Sequence, residues 1–76
     1  MSRFLQLYER WELAETAAWR AEGDLSHRLD AYCEGAGSAP GLDELAEVKR
    51  LRDVARDACR AIAAHFEDER QGRRVL

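Results

Sequence analysis

Apolar residues return every seven positions through the first half of this chain, with Phe4, Trp11, Ala18, Leu25 and Tyr32 on one line and Leu7, Ala14, Ala21 and Arg28 on the line beside it. Only Arg28 departs from the pattern. A strand repeats every two residues and would scatter these side chains over both faces of a sheet, whereas a helix stacks them into one narrow seam. A second seam follows, with Val48, Ala55 and Ile62 on one line, Leu51, Ala58 and His65 on its neighbour, and Leu45, Cys59 and Phe66 flanking it.

Between the seams lies "YCEGAGSAPGL", Tyr32 to Leu42, which holds the only proline and three of the five glycines. A phosphate-binding loop would need a strand before it and a Gly-Lys-Ser/Thr ending, and neither is present. Asp43 and Glu44 already complement the dipole of a helix starting there, which weakens its pull on another anion. The stretch is therefore read as a flexible bend. The expected fold is all-α: an antiparallel two-helix hairpin with helices over about 3–34 and about 41–70, a loop over about 35–40 and a frayed tail over 71–76. Ser2 suits the first N-cap, and Pro40 an early position of the second helix with Ser38 or Ala39 near its cap. Gly23 is costly inside a helix. Leu25, Leu29 and Tyr32 nevertheless keep phase with the residues before it, so one helix is expected to run across it.

In an antiparallel pair, facing residues have numbers that add to a constant set by the turn. A turn at Gly37 or Ser38 puts Trp11 by His65, Ala14 by Ile62, Ala18 by Ala58, Ala21 by Ala55 and Leu25 by Leu51. On one flank it puts Tyr8 by Phe66, Glu22 by Arg52 and Leu29 by Leu45. Leu7 by Glu69 and Arg28 by Val48 match poorly. Alanine dominates the middle of both seams, so the helices are expected to approach closely there and to bury little area. A single domain of 76 residues has a core worth only about 3–5 kcal/mol. Two helices roughly 45 Å long and packed only on each other leave apolar surface wet, so a homodimer forming a four-helix bundle is the expected completed structure, with a heterologous protein completing the bundle as the alternative.

Cys33 falls near the bend and Cys59 far along the second helix, roughly 24 Å apart along the axis, well beyond the ~7 Å reach of a disulfide. The thiols are read as free, as in a reducing compartment. The opening residues lack the apolar core of a secretory signal and no run is long enough to span a bilayer, so a cytoplasmic location is expected. Eleven arginines against one lysine point to a bacterial source.

The net charge of −3 supplies no general attraction to nucleic acid. A local stripe of Lys49, Arg52, Arg56 and Arg60 could follow a phosphate backbone, but Asp53 and Asp57 interleave it, and Glu15 and Glu22 are placed to neutralise it. A salt-bridged face is the better reading. His27 with Asp24, or His65 with Asp68 and Glu69, could contribute to a metal site in a bundle. The helix facing His27 brings Lys49 and Arg50, which repel a cation, and His65 is expected to pack on Trp11. No cofactor or metal is assigned. Cys59 and His65 point to different faces, no nucleophile meets a base, and a thin hairpin has no deep pocket, so no enzymatic activity is expected.

Four large side chains lie outside the seam: Leu5, Tyr8 and Trp19 on one side of the first helix and Leu13 on another. Trp19 is turned about 100° from Ala18, so the partner helix cannot cover it. Tryptophan and tyrosine are enriched where proteins meet, which makes these residues the candidate partner interface. The function expected is a non-catalytic interaction module, a small bacterial adaptor, co-chaperone or regulatory accessory protein acting as a homodimer. A nucleic-acid accessory protein and a metal-binding bundle are the alternatives. In outline the expected hairpin resembles the small hairpin co-chaperones of bacterial type III secretion and the hairpin accessory proteins of plasmids, a likeness of shape carried by no motif.

Overall fold

The computed structural model describes residues 2–75, with the side chains of 73–75 left aside. Two helices, α1 (Arg3–Cys33) and α2 (Leu42–Val75), pack against each other as an antiparallel hairpin. The seams read from the sequence are the ones that turn inward. On α1 the covered or half-covered positions include Phe4, Leu7, Trp11, Ala14, Ala18, Ala21 and Leu25, and on α2 Val48, Leu51, Ala55, Ala58, Ile62 and His65. Among the described residues only Leu7, Ala18, Ala55 and Ala58 are fully buried, so the core is a thin line. The alanines that permit close approach remove little apolar area from water.

α1 runs unbroken through Gly23. Ser2 occupies the N-cap with extended backbone (φ −70°, ψ 137°), and its carbonyl accepts from the Gln6 N–H at 3.2 Å. Its hydroxyl makes no capping bond. At the other end, Gly35 adopts φ 77°. The Gly35 N–H donates to the Tyr32 carbonyl at 3.0 Å and the Ala36 N–H to the Ala31 carbonyl at 2.8 Å. This is a Schellman motif, which satisfies carbonyls that a helix C-terminus leaves open and requires a residue tolerant of the left-handed region. What the sequence suggested as a flexible bend is in this part a hydrogen-bonded cap.

Three boundaries differ from expectation. Pro40 stands before α2 rather than within it, because Gly41 holds the N-cap position and its carbonyl accepts from the Leu45 N–H at 3.1 Å. The connection consequently spans 34–41. Residues 71–75, expected as a frayed tail, continue α2, since a helix already thirty residues long propagates through one glycine at a cost of about 1 kcal/mol. Residue 76 lies outside the described residues.

The register also shifts. Phe4, not Trp11, stacks on His65 (ring centroids 6.4 Å), and Phe4, not Tyr8, meets Phe66 (5.3 Å). Arg28 pairs with Glu44 at 2.9 Å instead of facing Val48, while Glu22 and Arg52 meet as expected. The turn is asymmetric: after the Schellman cap the chain folds back over the last turn of α1, so α2 begins beside residues well before Cys33. Leu7, poorly matched in the expected register, is buried, and the end of α2 projects beyond the start of α1.

Candidate interaction face

Helical periodicity places Leu5, Tyr8, Glu15, Trp19 and Glu22 on one flank of α1, turned away from the seam toward the Arg52 edge of α2. The side chains follow that geometry. Trp19 is 73% exposed and Tyr8 41%, and Leu5 is half exposed. Leu13, on the opposite flank, is 75% exposed.

At the open end of the hairpin five rings form one cluster. Phe4 is central, touching Tyr8 (6.1 Å), His65 and Phe66. Tyr8 in turn tilts onto Trp11 at 5.7 Å and His65 onto Phe66 at the same distance. Such tilted pairs contribute about 0.5–1.5 kcal/mol beyond area burial. They tie the helix ends together where the seam widens beyond its alanines. The cluster is covered on one side only, because Phe66 and Tyr8, both in contact with Phe4, remain 48% and 41% exposed. Phe66 belongs to the face but was read from the sequence as a flank of the second seam facing Tyr8, and was not counted in the candidate interface. The expected register set it against Tyr8, whereas the observed one sets it against Phe4, which also touches Tyr8.

Level with Trp19, from residues on either side of it along α1, the face carries a charged clamp. The Arg52 guanidinium donates through Nε and Nη2 to both oxygens of Glu22 (2.8 and 2.7 Å), and through Nη1 and Nη2 to both oxygens of Glu15 (2.8 and 3.1 Å). Glu15 and Glu22 stand two turns apart on α1, and the planar fork of arginine spans them where lysine could not. The hydrogen bonds from Arg52 hold the Glu22 carboxyl below the usual carboxylate range, and those from Glu22 and then Glu15 raise the Arg52 guanidinium.

The remaining basic stripe is occupied by neighbours on its own helix. Lys49 meets Asp53 at 2.8 Å, Arg56 meets Asp53 at 3.4 Å and Arg60 meets Asp57 at 3.7 Å. Asp53 is held below its ordinary value chiefly by the Lys49 hydrogen bond. His65 approaches Glu69 at 3.2 Å. Among the described residues no three metal-ligating side chains converge, and Cys33 and Cys59 are both unpaired and exposed. No described helix is long and apolar enough to cross a membrane.

Beside Trp19 lies a shallow groove of about 520 Å³ lined by Trp19, Arg20, Glu22 and Gly23. It opens broadly to solvent, so a small reactant held there would not be shielded from water. Comparisons with protein-family models, with curated proteins and with solved structures found no match. The face must be interpreted from its own chemistry.

Proposed function

We propose that this chain is a non-catalytic protein–protein interaction module, an adaptor or regulatory accessory protein of the bacterial cytoplasm, that works as a homodimer in which two hairpins form a four-helix bundle. The observation that carries this reading is the amount of surface left open. The chain exposes 6024 Å², whereas a compact folded monomer of 8.7 kDa exposes about 4,700 Å². The excess, about 1,300 Å², exceeds the roughly 800 Å² each partner contributes to a standard interface. Leu5, Tyr8, Trp19 and Phe66 gather part of it on one flank, where a second apolar surface would cover both the open side of the ring cluster and the indole.

The basic stripe does not favour a nucleic-acid role, because each of its four side chains already faces a carboxylate. Trp19→Ala tests the proposal. Its side chain lies mostly outside the hairpin, so far-UV circular dichroism should keep its helical signature while the mass by light scattering drops from dimer to monomer. Unchanged mass would show that Trp19 is merely exposed and that the assembly face lies elsewhere.

A further inference from the structure

The flank that carries Trp19 is sorted by charge. Positions seven apart share a column on a helix, and two columns of each helix open on this flank: 8, 15, 22, 29 and 5, 12, 19, 26 on α1, and 45, 52, 59, 66 and 42, 49, 56, 63 on α2. The charged residues of the α1 columns are Glu12, Glu15 and Glu22, all acids, and those of the α2 columns are Lys49, Arg52 and Arg56, all bases. Arg3, Arg10 and Arg28 of α1 fall on the other flank, where Arg28 meets Glu44. Ion pairs within the hairpin leave a surplus of each sign. Arg52 faces both Glu15 and Glu22, and Glu12 has no ion pair among the described residues, so the α1 edge stays negative. Lys49 and Arg56 share the one carboxylate of Asp53, so the α2 edge stays positive. Exposed apolar side chains hold both ends of the flank, Tyr8 and Phe66 at the open end and Leu29, Leu42 and Leu45 near the bend.

Resting on the homodimer reading above, we infer that a second copy of this chain covers this flank about a two-fold axis running along the hairpin, so that α1 of each copy lies on α2 of the other and both bends point the same way. Such an axis keeps every residue at its own height along the helices. Arg52 reaches Glu15 and Glu22 together, which sets it level with Trp19, and Phe4 is level with Phe66. Trp19 of each copy therefore lies over the Lys49 and Arg56 edge of the other, where an indole face attracts cations. Glu12 comes within one helical turn of Arg56 of the other copy, rings meet rings at the open end, and leucines meet leucines near the bend. The two clamps form one polar layer between apolar ends, and sliding either copy would set that layer against rings or leucines, which fixes the register. With the axis across the helices instead, α1 lies on α1 and α2 on α2. Centred on the same clamp, that arrangement brings Glu15 of one copy to Glu22 of the other and Arg52 to Arg52, and like charges so placed oppose association. An unrelated partner would need a basic and an acidic edge side by side, level with this chain's own and between apolar ends. A second copy carries them already.

Spin labels on Cys33 in a Cys59→Ala chain read the arrangement by double electron–electron resonance. Cys33 closes α1 beside the bend and is exposed. With both bends at one end the labels should lie within roughly 25 Å of each other, since packed helix axes stand about 8–10 Å apart. The crosswise arrangement would separate them by roughly 45 Å, at about 1.5 Å per residue. A charge exchange reads the same contact independently, in a concentration series by analytical ultracentrifugation. Glu12→Lys and Arg56→Glu should each weaken self-association by about tenfold or more with helicity retained. An equimolar mixture of the two should recover it, because both contacts of the mixed dimer then join opposite charges. A dimer whose labels stand roughly 45 Å apart, or whose variants do not complement, would overturn this arrangement and leave the homodimer reading standing. A wild-type chain that stays monomeric throughout the series would overturn both.

Discussion

At Ala18 the side chain is a methyl group with 0% exposure, and Ala55 and Ala58 on the other helix are nearly as closed. These small residues set how near the helix axes can come, and a larger side chain would have to push them apart. Ala18→Leu should therefore overpack the hairpin and destabilise it by about 1–3 kcal/mol, which for a domain of this size lowers the thermal midpoint by about 4–8 °C per kcal/mol. The same substitution at Ala17, one position away and exposed, should stay within about 0.5 kcal/mol. Thermal melts at matched concentration compare the two, and equal midpoints for Ala17→Leu and Ala18→Leu would mean that the central approach is not close. Gly35 illustrates the opposite constraint, a backbone at φ 77° that a side chain would strain.

The helices are joined by the alanine seam, by the aromatic cluster at the open end and by two ionic links, Arg52 with Glu15 and Glu22, and Arg28 with Glu44. The clamp makes the pairing sensitive to acid. Because Glu22 titrates lower in the folded hairpin than in the unfolded chain, its contribution is fully present above the ordinary glutamate value of about 4.3 and is lost as pH falls through the lower folded value. Glu47, held down by Arg50, and Asp53, held down by Lys49, act in the same direction on α2 itself. Thermal midpoints should thus fall between about pH 5 and pH 3, and less steeply in Arg52→Met, where no guanidinium holds the Glu22 carboxyl down; parallel profiles would show that the clamp does not stabilise the hairpin. Both helices and their inward faces were legible in the sequence, since Phe4 through Leu25 and Val48 through His65 keep a seven-residue repeat that burial follows. The register was not, because it depends on how Gly35 turns the chain back over α1, and a symmetric turn misplaces Phe4 by one to two helical turns relative to His65 and Phe66. Trp19, Tyr8 and Leu5 could be assigned to an open flank from angle alone, while Phe66, set against Tyr8 by a symmetric turn, meets Phe4 instead.

The hairpin measures 63 × 20 × 17 Å, with a radius of gyration of 17.8 Å where a compact chain of this length would have about 11 Å. That elongation follows from two long helices, one connection and a seam of alanines. It leaves Leu13, Trp19, Tyr8 and Phe66 in water and spreads a small core along the whole length of the molecule. A second hairpin laid on the Trp19 flank would nearly double the thickness and convert a thin line of contact into a bundle core. Absolute mass by light scattering on a sizing column, with circular dichroism on the same fractions, decides whether the hairpin self-associates. A self-associating hairpin runs as a strongly helical species at twice 8.7 kDa; a helical species at 8.7 kDa that holds its mass as concentration rises would rule the homodimer out.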